Sequence, residues 1–417
     1  MDYFRAKRFL DTLPDWETGT PPSGPLADYL PRMRALLARL DHPQRAFHTL
    51  IVGGTNGKGT VSSLVASLAQ HAGRRVGLYT SPHLHTQRER IRIDGEIIDK
   101  DAWAEAVSTL YDATRDFERE GLGPFSKFEA LTALAAHFFA ESQVEWAIFE
   151  VGLGGRYDAT NAWDSRAAIL TRVGLDHVGI LGHTIEEIAA DKVHIARSGC
   201  PLFTTASQAP EVTKLLQRTC GDRAIDLHTA SALPQGARTA HYGENAGLAL
   251  AAARHLGLAP EPPADERLVA GHVWPGRFEE ASADPLVILD GAHNPQAAQG
   301  LASSLGALRD RWTLIVGVGA AAVVTATVYK AFFTVDRNLA KALAFCRRCP
   351  TAMTAIVWPS GYPEVHTARA FLEQCKATIL FETEVKLEKH AHVLAAEKLA
   401  HVDELLPALA RVPGDAH

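Results

Sequence analysis

The segment Gly54-Thr55-Asn56-Gly57-Lys58-Gly59-Thr60 carries the densest chemical signal in the chain. Closely spaced glycines let a backbone turn tightly and aim several N–H groups at one anion, and a lysine beside them reaches the outer phosphates of a nucleotide. The segment departs from the common G-x-x-x-x-G-K-[ST] loop: Val52 stands where the first glycine belongs, and Gly59 where the Ser/Thr belongs. Other polar residues follow short apolar runs. Ser81 comes after Leu78-Tyr79-Thr80, Glu150 ends Ala147-Ile148-Phe149, and Asp176-His177 lies just past a third run. Mg²⁺ takes hard oxygen ligands together with phosphate and water, so Ser81 and Glu150 suit it, whereas His177 is a less usual ligand. Their joint appearance after successive apolar runs points to a metal–nucleotide site.

Such a site needs strands to hold it. Thr49-Leu50-Ile51-Val52 is short, β-branched and stopped by Gly53-Gly54, the pattern of a buried strand. Val61, Leu64, Val65, Leu68 and Ala69 then recur at helical spacing up to Gly73. The alternation continues with strands over Arg75–Tyr79, Trp146–Val151 and Ala167–Val173, and helices over Glu129–Glu141, Ile185–Arg197 and Asn245–Leu256. It predicts an α/β fold: a mostly parallel sheet with helices on both faces, in which groups just past the strands' carboxyl ends line a ligand crevice. Pro260, Pro262 and Pro263, followed by a fresh strand at Val287-Ile288-Leu289-Asp290, mark a boundary. We therefore expect a phosphate-loop domain over residues 1–284 and a smaller C-terminal α/β domain over 285–417.

Composition narrows the partners. With 42 Lys+Arg against 48 Asp+Glu the net charge is −6, and no basic block occurs, which disfavours general nucleic-acid or anionic-membrane binding. Apolar residues make up 47% and charged residues 22%, the balance of a globular protein. No apolar run of about 18 residues and no apolar segment near Met1 suggest a span or secretory leader. Five cysteines fit reduced thiols in a cytoplasm.

A series of ordered motifs runs through the chain, within a stretch of about residues 1–318. They are Gly54 to Thr60, Ser81-Pro82-His83-Leu84, Phe128-Glu129, Glu150 through Asp158-Ala159-Thr160-Asn161, Leu175-Asp176-His177, Asp191-Lys192, Asn245-Ala246, Trp274-Pro275-Gly276-Arg277 and Asp290-Gly291-Ala292-His293-Asn294-Pro295. This set resembles the folylpolyglutamate synthase/dihydrofolate synthase family of the Mur-ligase superfamily. The resemblance implies a phosphate-loop domain and a Rossmann-like second domain. It also implies an ATP-dependent ligase, cytoplasmic and monomeric, that adds L-glutamate to a folate or dihydropteroate carboxylate through an acyl phosphate.

Carried over residue by residue, it assigns Asn56, Gly57, Lys58, Gly59 and Thr60 to the ATP phosphates. Asn245, Arg277, Asp290, His293 and Asn294 fall at nucleotide-contacting positions. Ser81 and Glu150 would hold one Mg²⁺, and His177 would help hold a second. Lys192 matches a lysine carried as a carbamate, an anionic oxygen ligand able to bridge metals. Phe128, Glu129, Gly155 and Arg156 match the pterin side of the pocket. Lys58, His177, Lys192 and Arg277 would carry the positioning and charge stabilisation that phosphoryl transfer needs. A cell-wall ligase of the same superfamily would require a uridine-nucleotide domain before the loop, for which the stretch ahead of Gly54 is too short.

Past Val318 the resemblance stops. Gly319 to Thr325 lacks the Asp-Lys-Asp element of the family, and Cys346, Cys349 and Cys375 crowd into the last quarter. Cys346-Arg347-Arg348-Cys349 has metal-like spacing without a second pair. We expect a divergent tail, with a change of coding frame or of evolutionary origin near residue 319. The alternative function is a nucleotide-binding protein of this fold whose ligase activity is lost with the tail.

Overall fold

The computed structural model describes residues 1–15, 28–117, 119–121, 124–233, 239–283, 286–292, 294–308, 313–316 and 355–358. Strand β1 (His48–Gly53) forms where the sequence places an apolar run, and Leu50, Ile51 and Val52 are fully buried. Successive side chains of a strand point to opposite faces, so Leu50 and Val52 enter one core and Ile51 another. Burying each such side chain contributes about 1.5–3 kcal/mol.

Around β1 lie β2 (Val76–Tyr79), β3 (Ile91–Ile93), β4 (Glu96–Ile97), β5 (Trp146–Glu150), β6 (Ala167–Leu170), β7 (Pro201–Thr205) and β8 (Asp226–Ala230). They make one eight-stranded sheet in the order β4-β3-β2-β5-β1-β6-β7-β8. From β2 to β8 every neighbouring pair is parallel, and β3 and β4 add an antiparallel edge. Val52 stands level with Glu150 of β5 and Ile169 of β6, which aligns the carboxyl ends of the three central strands.

Helices cover both faces. On one lie α1 (Tyr3–Asp11), α2 (Tyr29–Arg39), α4 (Lys100–Thr114) and α5 (Lys127–Glu141), whose Leu10, Met33, Trp103 and Phe139 pack with Tyr79 and Phe149. The short helix α6 (Ile185–Lys192) and α7 (Pro210–Asp222) cluster with Ile51, Leu170 and Leu202. The opposite face receives α3 (Lys58–His71), α8 (Ala240–His255) and α9 (Ala264–Gly271), whose Leu64, Leu248 and Val269 pack with Leu50, Val52 and Ile148.

Three predicted elements begin or end three or more residues away from the predicted position. β6 stops at Leu170 rather than Val173: Thr171 N still donates to Gly53 O at the end of β1, and beyond it Arg172 O accepts the Thr55 N–H of the phosphate loop. The helix predicted over Ile185–Arg197 ends at Lys192 and tightens into a 3₁₀ turn at Val193–Ile195. α8 begins at Ala240, capped by the Thr239 side chain, five residues before the predicted start.

The chain divides into two units. One comprises Met1–Arg277 and Asn294–Ser304, and the other Phe278–His293 and Leu305–His417. The second contains β9 (Glu279–Ala283), β10 (Leu286–Asp290), β11 (Thr313–Val316) and β12 (Ala355–Trp358), in the order β11-β12-β10-β9. Its described pairings are all antiparallel. Helix α10 (Pro295–Leu308) follows β10. Apart from Ala355–Trp358, the residues after 318 lie outside those described, as do the cysteines at 346, 349 and 375 and the helical segments predicted there.

Candidate active site

The turn after β1 admits no side chain at two positions. Gly54 has φ 134°, and a Cβ there would sit 1.9 Å from Thr171 Oγ1; Gly57 has φ 89°, and its Cβ would sit 2.3 Å from Asn245 Oδ1. Gly57 is also the N-cap of α3, whose first turn receives no side-chain cap. Those N–H groups are therefore available to an anion, which the helix dipole also favours. Asn245, from α8, is thereby brought onto the loop.

Two lysines meet on one carbonyl. Lys58 Nζ donates to Gly54 O (3.3 Å) and Thr55 O (3.1 Å), and Lys192 Nζ donates to the same Gly54 O at 3.0 Å. Lys192, at the end of α6, is only 3% exposed. Burial, reinforced by the Lys58 charge, lowers its ammonium pKa to about 7, against the opposing pull of Asp176, Asp191 and Asp158. A buried lysine in that range presents a substantial fraction of neutral, nucleophilic amine at neutral pH.

Glu150 ends β5 beside this cluster and is almost fully buried. Its Oε2 accepts the Ser81 N–H at 3.0 Å, and its carboxylate lies 3.4 and 3.5 Å from where a Cβ on Gly59 would be. Burial pushes the carboxyl up, while Lys58, the Ser81 N–H, Arg277 and Arg90 pull it down. Glu150 thus offers hard oxygens next to the loop, with Ser81 bonded to it through the backbone, and a carboxylate and a hydroxyl are residue types that fit Mg²⁺ completed by phosphate and water. Among the described residues no group of three or more His, Cys, Asp or Glu is arranged to hold a metal by itself. Thr60 is buried on α3, and Arg277 has an exposed side chain.

The loop after β5 is shaped by Asp158. This buried carboxylate accepts N–H groups from Gly152 (3.1 Å), Leu153 (3.0 Å) and Thr160 (3.0 Å) and the Thr160 hydroxyl (2.6 Å). Phe128 packs so closely on Gly152 that a Cβ would meet its ring at 2.6 Å. Gly155 lies equally close to Lys192, its hypothetical Cβ 2.7 Å from Lys192 O. Arg156 is exposed, with its guanidinium over the Tyr157 ring at 5.2 Å. Glu129 closes a capping box with Ser126 at the start of α5 and forms a buried ion pair with Arg32 at 2.8 Å.

On the β6 side, Asn56 and Asn294 exchange amide hydrogen bonds of 3.0 and 2.9 Å, and Asn294 Nδ2 also reaches Asp176 Oδ2 at 3.2 Å. His177 has φ 49°, unusual for a non-glycine residue, and its ring stands 3.9 Å from the Asp176 carboxylate. Asp290 belongs to the second unit, where its carboxylate accepts the N–H groups of Phe278 (2.8 Å) and Ala292 (2.9 Å). His293 lies outside the described residues.

Sequence reasoning gave no role to Asp158, Trp274 or Gln296. Asp158 had a readable signal, since Asp158-Ala159-Thr160 is the start of an Asx-capped turn. Trp274 Nε1, 3.1 Å from the hypothetical Gly59 Cβ, and Gln296, hydrogen-bonded to Asn56, are placed by long-range packing alone.

No family profile matches the chain. Individual proteins do. It is 36% identical over 308 residues to the dihydrofolate synthase/folylpolyglutamate synthase of Bacillus subtilis, covering 66% of this chain and 71% of that protein. It is 33% identical over 320 residues to the folylpolyglutamate synthase of Lacticaseibacillus casei, covering 69% and 74%. Among solved structures, an FPGS–AMPPCP–folate complex superimposes with TM-score 0.72 at 27% identity, covering 84% of this chain and 96% of that one. Mycobacterium tuberculosis folylpolyglutamate synthase complexed with ADP gives TM-score 0.72 at 27% identity, covering 84% and 88%.

Proposed function

The chain belongs to the dihydrofolate synthase/folylpolyglutamate synthase family, and on that premise we propose that it joins L-glutamate to the carboxylate of a folate or dihydropteroate at the expense of ATP. The observation that carries this reading is the pair of lysines on Gly54 O, beside an uncapped helix start and the buried Glu150. A carboxylate is a poor electrophile. Its oxygen attacks the γ-phosphorus of ATP, ADP leaves, and an acyl phosphate forms. The glutamate amine then attacks the acyl carbon and loses its proton, and as the carbonyl re-forms phosphate departs with the electron pair of the acyl C–O bond.

The residues of the site fit these needs. The Gly57–Thr60 N–H groups and Lys58 hold and neutralise the phosphates, a task of positioning and electrostatics rather than covalent work. Asn56, Asn245, Arg277, Asp290, His293 and Asn294 are the proposed nucleotide contacts. Ser81 and Glu150 are proposed to hold one Mg²⁺ and His177 to help hold a second; when bound, the ions offset phosphate charge. The neutral fraction of Lys192 can add to CO₂, forming an N–C bond and releasing a proton, which makes it a candidate carbamate. Phe128, Gly155 and Arg156 are assigned to the pterin side. Glu129 lies next to Phe128 and supports that side through α5.

The family relatives carry synthase names, which favours an active enzyme over the inactive alternative. No described helix is long and apolar enough to cross a membrane, and Cys200 and Cys220 are free thiols. Both agree with a cytoplasmic enzyme, which we take to act as a monomer. The test is phosphate release from ATP by the full-length protein with Mg²⁺, comparing dihydropteroate with tetrahydrofolate. Release that requires both L-glutamate and one pterin substrate is expected. Nucleotide binding without such turnover would establish the inactive alternative.

A further inference from the structure

The phosphate loop is held by more than its own glycines. Asn56 Nδ2 donates to Asn294 Oδ1 (3.0 Å) and to Gln296 Oε1 (2.7 Å), while Asn56 Oδ1 accepts from Asn294 Nδ2 (2.9 Å). Both amide protons of Asn56 are used. Asn294 in turn caps α10, its Oδ1 accepting the Ala297 N–H at 3.0 Å. One residue earlier in the loop, Thr55 Oγ1 donates to Gly174 O (3.1 Å) and accepts Gly174 N–H (3.0 Å). A Cβ on Gly174 would lie 2.8 Å from Gln296 Oε1 and would push that side-chain tip aside. Gln296 therefore passes close to Gly174 and is hydrogen-bonded to Asn56, next to both anchor points of the loop.

We propose that Gln296 is a positioning residue for nucleotide binding. Its carbonyl fixes the amide orientation of Asn56, which locks the Asn56–Asn294 pair and leaves the loop's backbone N–H groups turned outward for phosphate. The Asn56 side chain, both of whose protons are consumed, then acts as a strut, and Asn56 meets the nucleotide through its backbone N–H. The inference rests on the nucleotide-binding reading above and deepens it.

The experiment measures ADP binding to the full-length protein by calorimetry. Gln296→Met keeps the side-chain length and removes the amide, and it should weaken ADP binding about 3–10-fold, the value of one neutral hydrogen bond. The KM for ATP should rise by the same factor and the KM for the pterin substrate should stay put. Gln296 is partly exposed, so the nucleotide-free unfolding temperature should not change. Gly174→Ala should reproduce the defect by displacing Gln296, and the double variant should be no worse than either single one. Unchanged or tighter ADP binding in Gln296→Met overturns the proposal, as do fully additive effects of the two substitutions. Failure of the wild-type chain to bind ADP would instead overturn the nucleotide-binding reading, and this proposal with it.

Discussion

Gly54 O accepts from two lysine ammonium groups, and the electrostatic tension there falls on the more buried one. Lys192 has its pKa lowered from 10.5 to about 7. The unfolded chain thus binds a proton that the folded chain releases between about pH 7 and 10.5. Over that window Lys192 makes stability rise with pH, by up to about 1.4 kcal/mol per unit, and its contribution is lost as pH falls towards 7. Lys192→Met should flatten this part of the profile relative to wild type, measured by urea unfolding at pH 7, 8.5 and 10 in CO₂-depleted buffer. Parallel profiles for the two proteins would show that Lys192 is not the shifted group. Little of this was legible locally. The run Glu186-Glu187-Ile188-Ala189-Ala190-Asp191-Lys192 reads as a solvated helix end, and Lys192 is buried only because α6 brings it to Gly54.

At the scale of elements, close approach does the positioning. Gly155 lies against the backbone of Asp191 and Lys192, and backbone cannot swing aside as a side-chain tip can. Gly155→Ala should displace the end of α6, lowering kcat/KM on the order of 100-fold, as misplacement by about 1 Å does. Overpacking should also lower stability by about 1–3 kcal/mol. Steady-state kinetics with urea unfolding checks both, and near-wild-type turnover would show that α6 can shift without consequence. The strand–loop–helix unit from β1 to α3 was fully readable, because a β-branched run, a glycine turn and 3.6-residue spacing occur in one short stretch. The Ser126-Lys127-Phe128-Glu129 capping box went unread, although its S-x-x-E pattern stands in the sequence, which assigned Glu129 only to the pterin side. The Asn56–Asn294 pair was not readable, since it joins residues 238 positions apart.

Over the whole molecule, the six parallel strands direct their carboxyl ends to one edge. The order β2-β5-β1-β6 sends chain connections to both sides of β1, which opens the crevice where the phosphate loop sits. That order follows from βαβ handedness and packing rather than from any one motif, so sequence patterning gives the sheet type but not the strand neighbours. The second unit was the harder case. Ala355-Ile356-Val357-Trp358 is a short apolar run in a stretch without familiar motifs, yet it forms a strand paired on both sides, with β10 and β11. The ligase reading turns on the carboxylate oxygen of the pterin substrate attacking ATP before the glutamate amine attacks the acyl carbon. Its most direct test is to run one turnover with the substrate carboxylate labelled with ¹⁸O and to weigh the phosphate released by mass spectrometry. One ¹⁸O per phosphate, formed only when L-glutamate is present, is the predicted result; unlabelled phosphate accompanying amide formation would contradict the acyl-phosphate route.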